Sequence, residues 1–125
     1  MATFIISGDP ISIFRPRNFN AHCWDSLKQL KHSAINQLEE QFKDQEPYLK
    51  PINIEYHFYF RPIGAHRSTT EYGYNHSRPD ITDLIKFVEN VSVGILFKDT
   101  GIIASISSFK RYSELSRTEI IITEL

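Results

Sequence analysis

The sequence predicts an α/β (α+β) domain, a small mixed β-sheet with two α-helices packed on one face. Three observations carry that prediction. Residues 52–60 alternate with period two, Ile52, Ile54, Tyr56, Phe58 and Phe60 on one side and Asn53, Glu55, His57 and Tyr59 on the other. Two stretches repeat at spacings of three and four: Trp24, Leu27, Leu30, Ala34, Ile35, Leu38 and Phe42, and then Ile81, Leu84, Ile85, Val88 and Val91. The last quarter of the chain returns to β-branched alternation. At 125 residues, 41% hydrophobic and 13% aromatic, the chain builds one core and is too short for two, so residues 1–125 read as a single domain.

Taken in order, Thr3 to Ser7 is a short strand ended by Gly8-Asp9-Pro10. Ile11 to Phe14 reads as a second short strand, followed by the basic, irregular Arg15-Pro16-Arg17-Asn18. Asp25 or Ser26 caps the first helix, with Gln29 in the capping-box place, and the helix runs to about Lys43. Its polar face carries Lys28, His32, Asn36, Glu39 and Lys43, a solvated scaffold face. Pro47 and Pro51 bracket a connector to the strand at 52–60. Arg61 to Arg78 is a long polar stretch of little periodicity, the kind of loop that is functional or mobile. Pro79 disfavours helix in Arg78, which makes Asp80 the N-cap of the second helix. That helix buries its apolar stripe and turns Asp83, Lys86 and Asn90 outward. Gly94 permits a turn, Ile95-Leu96-Phe97 reads as a short strand, Ile102 to Phe109 as another, Lys110 to Arg117 as a charged hairpin connection, and Thr118 to Thr123 as the closing strand.

Fourteen Lys and Arg against 15 Asp and Glu leave a net charge of −1, so composition does not announce a nucleic-acid binder and any such affinity rests on local clusters. Those clusters are Arg15 and Arg17, then Arg61, His66, Arg67, His76 and Arg78, then Lys110 and Arg111. No apolar run approaches the ~20 residues of a membrane span and the first residues lack a signal-peptide pattern. With Cys23 as the single cysteine, this points to a cytoplasmic protein in a reducing compartment, without membrane association, disulfide or cysteine-based zinc site.

The chemistry concentrates at Arg78 to Lys86. Asp80 and Asp83 stand one helical turn apart, and Asp99 follows an apolar stretch that enters the same volume if its strand lies beside the helix start. Oxygen donors of this kind suit Mg²⁺ or Mn²⁺ shared with substrate phosphate oxygens, and Lys86 is placed to stabilise developing negative charge. Helix-end electrostatics offer a plainer account: Asp80 as cap, Asp83 as the acid that reaches back, and Asp99 as an ordinary turn residue.

Pro79-Asp80-Ile81-Thr82-Asp83-Leu84-Ile85-Lys86, with Gly94 to Ile102 beyond it, resembles the hallmark of the RusA-like Holliday junction resolvases. The hallmark has the form Pro-Asp-x-Asp-Asn-Leu-x-Lys, then a short helix, a glycine and an apolar stretch ending in Asp-Asp-x-Gln-Val/Ile. Gly8-Asp9-Pro10 with Arg15-Pro16-Arg17, and Lys110-Arg111-Tyr112 before a last strand, look like the family's two ends. The resemblance implies a homodimeric, metal-dependent endonuclease that resolves branched DNA by paired, symmetric nicks in recombination and repair. By position it assigns metal-binding acids to Asp80 and Asp99 and the neighbouring lysine to Lys86. Asp83 joins them as the third expected metal ligand, and Arg15, Arg17, Arg67, Arg78, Lys110 and Arg111 are the expected DNA contacts. The family's second acid falls on Thr82, its asparagine on Asp83, the first acid of its Asp-Asp pair on Lys98, its glutamine on Gly101 and a later helical aspartate on Asn90. Two consequences stand open: Asp83 supplies the displaced carboxylate, or the chain binds branched nucleic acid without cutting it. A protein-interaction module that keeps only the fold is the reading from another class.

Overall fold

The computed structural model describes residues 1–13, 21–62 and 73–125. Strand β1 (Ala2–Ser7) is followed by helix α1 (Ala21–Gln41), strand β2 (Ile52–Phe60), helix α2 (Ile81–Ser92), a single 3₁₀ turn (Thr100–Ile102), strand β3 (Ile103–Tyr112) and strand β4 (Arg117–Glu124). The four strands form one mixed sheet in the order β1-β4-β2-β3. β2 runs parallel to β3 and antiparallel to β4, and β4 runs antiparallel to β1. A parallel pair needs a crossover, and α2 lies in the one between β2 and β3.

The period-two pattern of β2 decides which face is buried. Ile52, Ile54, Tyr56 and Phe58 are fully buried and pack with Phe4 and Ile6 of β1, Ile120 and Ile122 of β4, Ala34 and Leu38 of α1, and Leu84, Phe87, Val88 and Val91 of α2. Both helices thus cover one face of the sheet. Tyr56 Oη, Ser92 Oγ and Ser108 Oγ are buried there without a hydrogen-bond partner among the described residues.

Both sheet edges carry backbone groups that need partners. On β1, Gln41 of α1 accepts from the Ile5 N–H (2.7 Å) and donates to its carbonyl (2.6 Å), while Gln37 accepts from the Ser7 N–H at 2.8 Å. On the outer edge of β3, the Asn75 N–H donates to the Lys110 carbonyl and the Tyr112 N–H to the Gly73 carbonyl, each at 2.9 Å. Among the described residues nothing pairs with Ile103 to Phe109 on that side.

Several local expectations are corrected. Ile11 to Ile13 form no strand; the Ile13 N–H donates instead to the Asp83 carbonyl at 3.1 Å. Helix α1 begins at Ala21, before the caps expected at Asp25 and Ser26, because no glycine or proline bars helix in between. Ile95 to Phe97 form a turn rather than a strand: the Ile95 and Leu96 amides fold back onto the Ser92 carbonyl, Gly94 takes φ +88°, and buried Leu96 and Phe97 plug the end of the core. β3 continues through Lys110 to Tyr112, and Ser113 to Ser116 are no hairpin, since β3 and β4 are not neighbours. That link steps over the end of β2, held by the Ser113 N–H on the Phe60 carbonyl (2.9 Å) and the Arg61 N–H on Ser116 Oγ (3.2 Å). No helix among the described residues is long and apolar enough to cross a membrane.

Candidate metal centre and nucleic-acid interface

The chain reaches α2 through a turn pinned from the sheet. Lys110 lies on the helix-covered face of β3, beside Phe58, and its ammonium donates to the Ser77 carbonyl and to the Pro79 carbonyl at 2.8 Å. Buried Asn75 steadies the same turn, its side-chain oxygen accepting from the Ser77 N–H at 2.8 Å. Burial pushes Lys110 below the usual lysine range; the nearby Asp80 carboxylate opposes that shift and the Arg78 guanidinium adds to it. The cation at 110, expected to contact DNA, therefore holds the backbone that delivers Asp80.

Asp80 is the N-cap of α2 by its backbone, whose carbonyl accepts from the Asp83 and Leu84 amides at 3.1 and 3.2 Å. Its side chain makes no capping bond. The carboxylate, about half exposed, accepts instead from the Arg78 guanidinium at 2.9 Å. Asp83 is more sheltered, at 20% side-chain exposure, and sits 3.9 Å from Lys86, whose own side chain is 66% exposed. Ser12, Arg78, Pro79, Asp80 and Asp83 line one open cleft. The Asp80 side chain thus makes no capping bond, Asp83 keeps the first-turn place that helix-end electrostatics favours, and both acids line shared space, with one exposed guanidinium and one exposed ammonium beside them.

Asp99 lies elsewhere. It precedes the 3₁₀ turn that feeds the start of β3, and its carboxylate accepts from the Gly101 N–H at 2.9 Å, as the plainer turn reading anticipates. Asp80 sits beside Lys110 near the other end of the same strand. The seven residue steps along the strand from Ile103 to Lys110 span roughly 23 Å, and the 12 residues of α2 span roughly 18 Å. The expected entry of Asp99 into the Asp80 volume does not occur within one chain, because the apolar stretch before it closes the far end of the core. Among the described residues no group of three or more His, Cys, Asp or Glu side chains is gathered closely enough to hold a metal.

Of the other expected DNA contacts, Arg78 is 80% exposed at the cleft. Arg111 lies on the opposite face of β3 from Lys110, its guanidinium 5.0 Å from the Tyr74 ring centre and 5.8 Å from that of Phe109. Arg15, Arg17 and Arg67 lie outside the described residues. Missed by the sequence reading is the company Arg111 keeps: His57, Tyr59, Phe109 and Arg117 share that helix-free face. The polar side of the β2 alternation, with a histidine and a tyrosine where serine or lysine serves as well, was the available signal. Burial, with Glu119 close by, raises the Tyr59 phenol above its ordinary range against the pull of Arg117 and Arg111, so it is neutral at physiological pH.

A match to the family model of Endodeoxyribonuclease RusA covers residues 12–123. The chain belongs to the RusA family. The matched region opens at Ser12, a cleft residue, and closes within β4, so it takes in both helices and nearly the whole sheet. The family is one of endodeoxyribonucleases, and the α+β architecture of this RusA chain accords with it. No curated protein sequence matches the chain.

Proposed function

We propose that this RusA-family chain is a Mg²⁺- or Mn²⁺-dependent endonuclease that resolves four-way DNA junctions by paired nicks in recombination and repair, acting as a homodimer. The observation that carries the proposal is the pair of acids, Asp80 and Asp83, that line one cleft, with the Asp80 carboxylate left out of helix capping. Two protein carboxylates with water and substrate phosphate oxygens are a common donor set for a hard divalent cation, so the residues present fit the group. When bound, such a cation activates water and offsets charge on a phosphodiester. Arg78 and Lys86 flank the two acids and are exposed enough to meet a phosphate. Lys110 acts from behind, as the clamp on the Ser77 and Pro79 carbonyls.

The place of Asp99 supports a two-chain site. If Asp99 is a ligand, a second copy must supply it, and the edge of β3 from Ile103 to Phe109, which nothing pairs among the described residues, gives that copy somewhere to sit. Ile103 to Phe109 contain no charge and no proline, and Ile106 is 47% exposed. Two such edges paired antiparallel bring the Asp99 end of one copy beside the Asp80 end of the other. Each carboxylate pair then gains a third acid from its partner, and two equivalent sites serve paired nicks.

A second reading, binding without cutting, is favoured by Thr82, Lys98 and Gly101 standing where the family pattern has two acids and a glutamine. One assay separates the two. Nicking of a four-way junction with Mg²⁺ or Mn²⁺ that is lost in Asp80→Asn is the expected outcome. A gel shift that weakens steeply with salt, with no nicking by the wild type in either metal over a broad pH range, supports the second reading and contradicts the first.

A further inference from the structure

We propose that the helix-free face of the sheet is a stacking platform for unpaired nucleobases, an inference that rests on the DNA-directed reading above and extends it to a second contact. The parallel register sets His57 beside Phe109 and Tyr59 beside Arg111; the antiparallel register sets Tyr59 beside Arg117. All stand on the face opposite the core. His57 stacks on Phe109 with ring centres 4.3 Å apart and planes 21° from parallel, and Tyr59 meets both rings nearly edge-on. Arg117 lies 4.0 Å over the Tyr59 ring, and Arg111 sits between the rings of Phe109 and Tyr74.

No helix among the described elements packs on these rings, and the core on the other face is complete without them. What the cluster offers is a row of π faces alternating with guanidinium planes. Unpaired bases stack on both, whatever their sequence, while the guanidinium charge favours the phosphates between them. Two acids share this face and are held by its cations and histidine: Glu119, opposite His57 in the register, is bonded to Arg117 at 2.7 Å and lies 3.7 Å from His57, and Glu55 lies 3.4 Å from His57. At the corner beside Arg111, Tyr74 is 67% exposed.

Position links the platform to the cleft. Tyr74 pairs with Arg111 on the outer edge of β3, and from there the chain passes in six residues to Asp80. Lys110, next to Arg111, holds the Pro79 carbonyl from the other face. Platform and carboxylates are therefore two sides of one corner of the sheet. A branch point, where bases are readily unstacked, presents a phosphate and a free base within such a span.

The test is a fluorescence titration of an oligothymidylate carrying one 2-aminopurine, in EDTA, so that binding is read without cutting. Wild type is expected to bind and change the probe's emission, and the Tyr59→Leu/Phe109→Leu double variant to bind about tenfold more weakly, the range for loss of a base–aromatic stack, with duplex affinity unchanged. Equal single-strand affinity in the double variant overturns the platform. So does a wild type that binds no single strand at low salt, which makes this a protein-docking face. Photocrosslinking of wild type to a 5-iodouracil oligonucleotide supplies a readout that does not depend on the variant folding: adducts on Tyr59, Tyr74 or Phe109 support the platform, and adducts confined elsewhere overturn it. A protein that passes these tests yet nicks no junction with metal keeps the platform and refutes the nuclease reading, so the two failures are distinct.

Discussion

At the scale of single residues, the site depends on which side chains are left uncommitted. Asp80 occupies the N-cap position, yet its carboxylate pairs with Arg78 rather than with the helix amides. Lys110 and Arg111, adjacent in sequence, work on opposite faces of β3. Burial acts on Glu89 too, on the flank of α2, and raises its carboxyl above the ordinary range. Glu89 in turn adds to the upward shift of the buried Tyr56 phenol. A carboxyl raised in the folded state favours folding fully below its unfolded value of about 4.3, and that contribution is lost as pH rises through the folded value. At neutral pH the ionised Glu89 therefore carries a desolvation cost. Glu89→Gln is expected to raise the urea midpoint at pH 7 to 8, by less than about 0.5 kcal/mol because solvent still screens a partly exposed group. The gain should vanish below pH 4; a variant less stable than wild type at neutral pH contradicts this account.

Among the elements, the glutamine clamp between α1 and β1 is a specific device for closing a sheet edge. Gln41 satisfies both backbone groups of Ile5. Gln41→Ala should cost about 1 kcal/mol in urea unfolding, since the freed groups reach water, and should speed amide exchange at Ile5; an unchanged exchange rate there argues against the clamp. This device was not legible in the sequence, where Gln37 and Gln41 are two polar residues on a polar helix face. The periodic elements were legible: the alternation of residues 52–60 marked β2 and its buried side, and helical spacing marked both helices. Ile95 to Phe97 were misread because a three-residue apolar run satisfies a strand or a core plug equally, and only Gly94 and the Ser92 carbonyl decide between them. The supposed hairpin at Lys110 to Arg117 failed for another reason. Strand neighbours are set by which strands share the core, and here β2 lies between β3 and β4.

For the whole molecule, the instructive point is the distance between the acids. Motif order placed Asp80, Asp83 and Asp99 in one site, and the fold places α2 between the first two and the third. Sequence spacing carries no information on that separation, because it follows from the direction of α2 along the sheet and from the turn that seals the core. Under the proposed function, a metal site of three carboxylates is a property of two chains, and the uncharged outer edge of β3 is the surface proposed to let two chains meet. The measurement that bears most directly on this proposal is a mixing experiment on a four-way junction with Mg²⁺ or Mn²⁺. Asp80→Asn and Asp99→Asn are prepared separately and then unfolded and refolded together. Wild type should cut, each variant alone should not, and the mixture should regain single-strand nicking, because a mixed dimer joins one intact Asp80 to one intact Asp99 at a single site. A mixture as inactive as its components, beside an active wild type, contradicts the shared site, and an inactive wild type contradicts the nuclease itself.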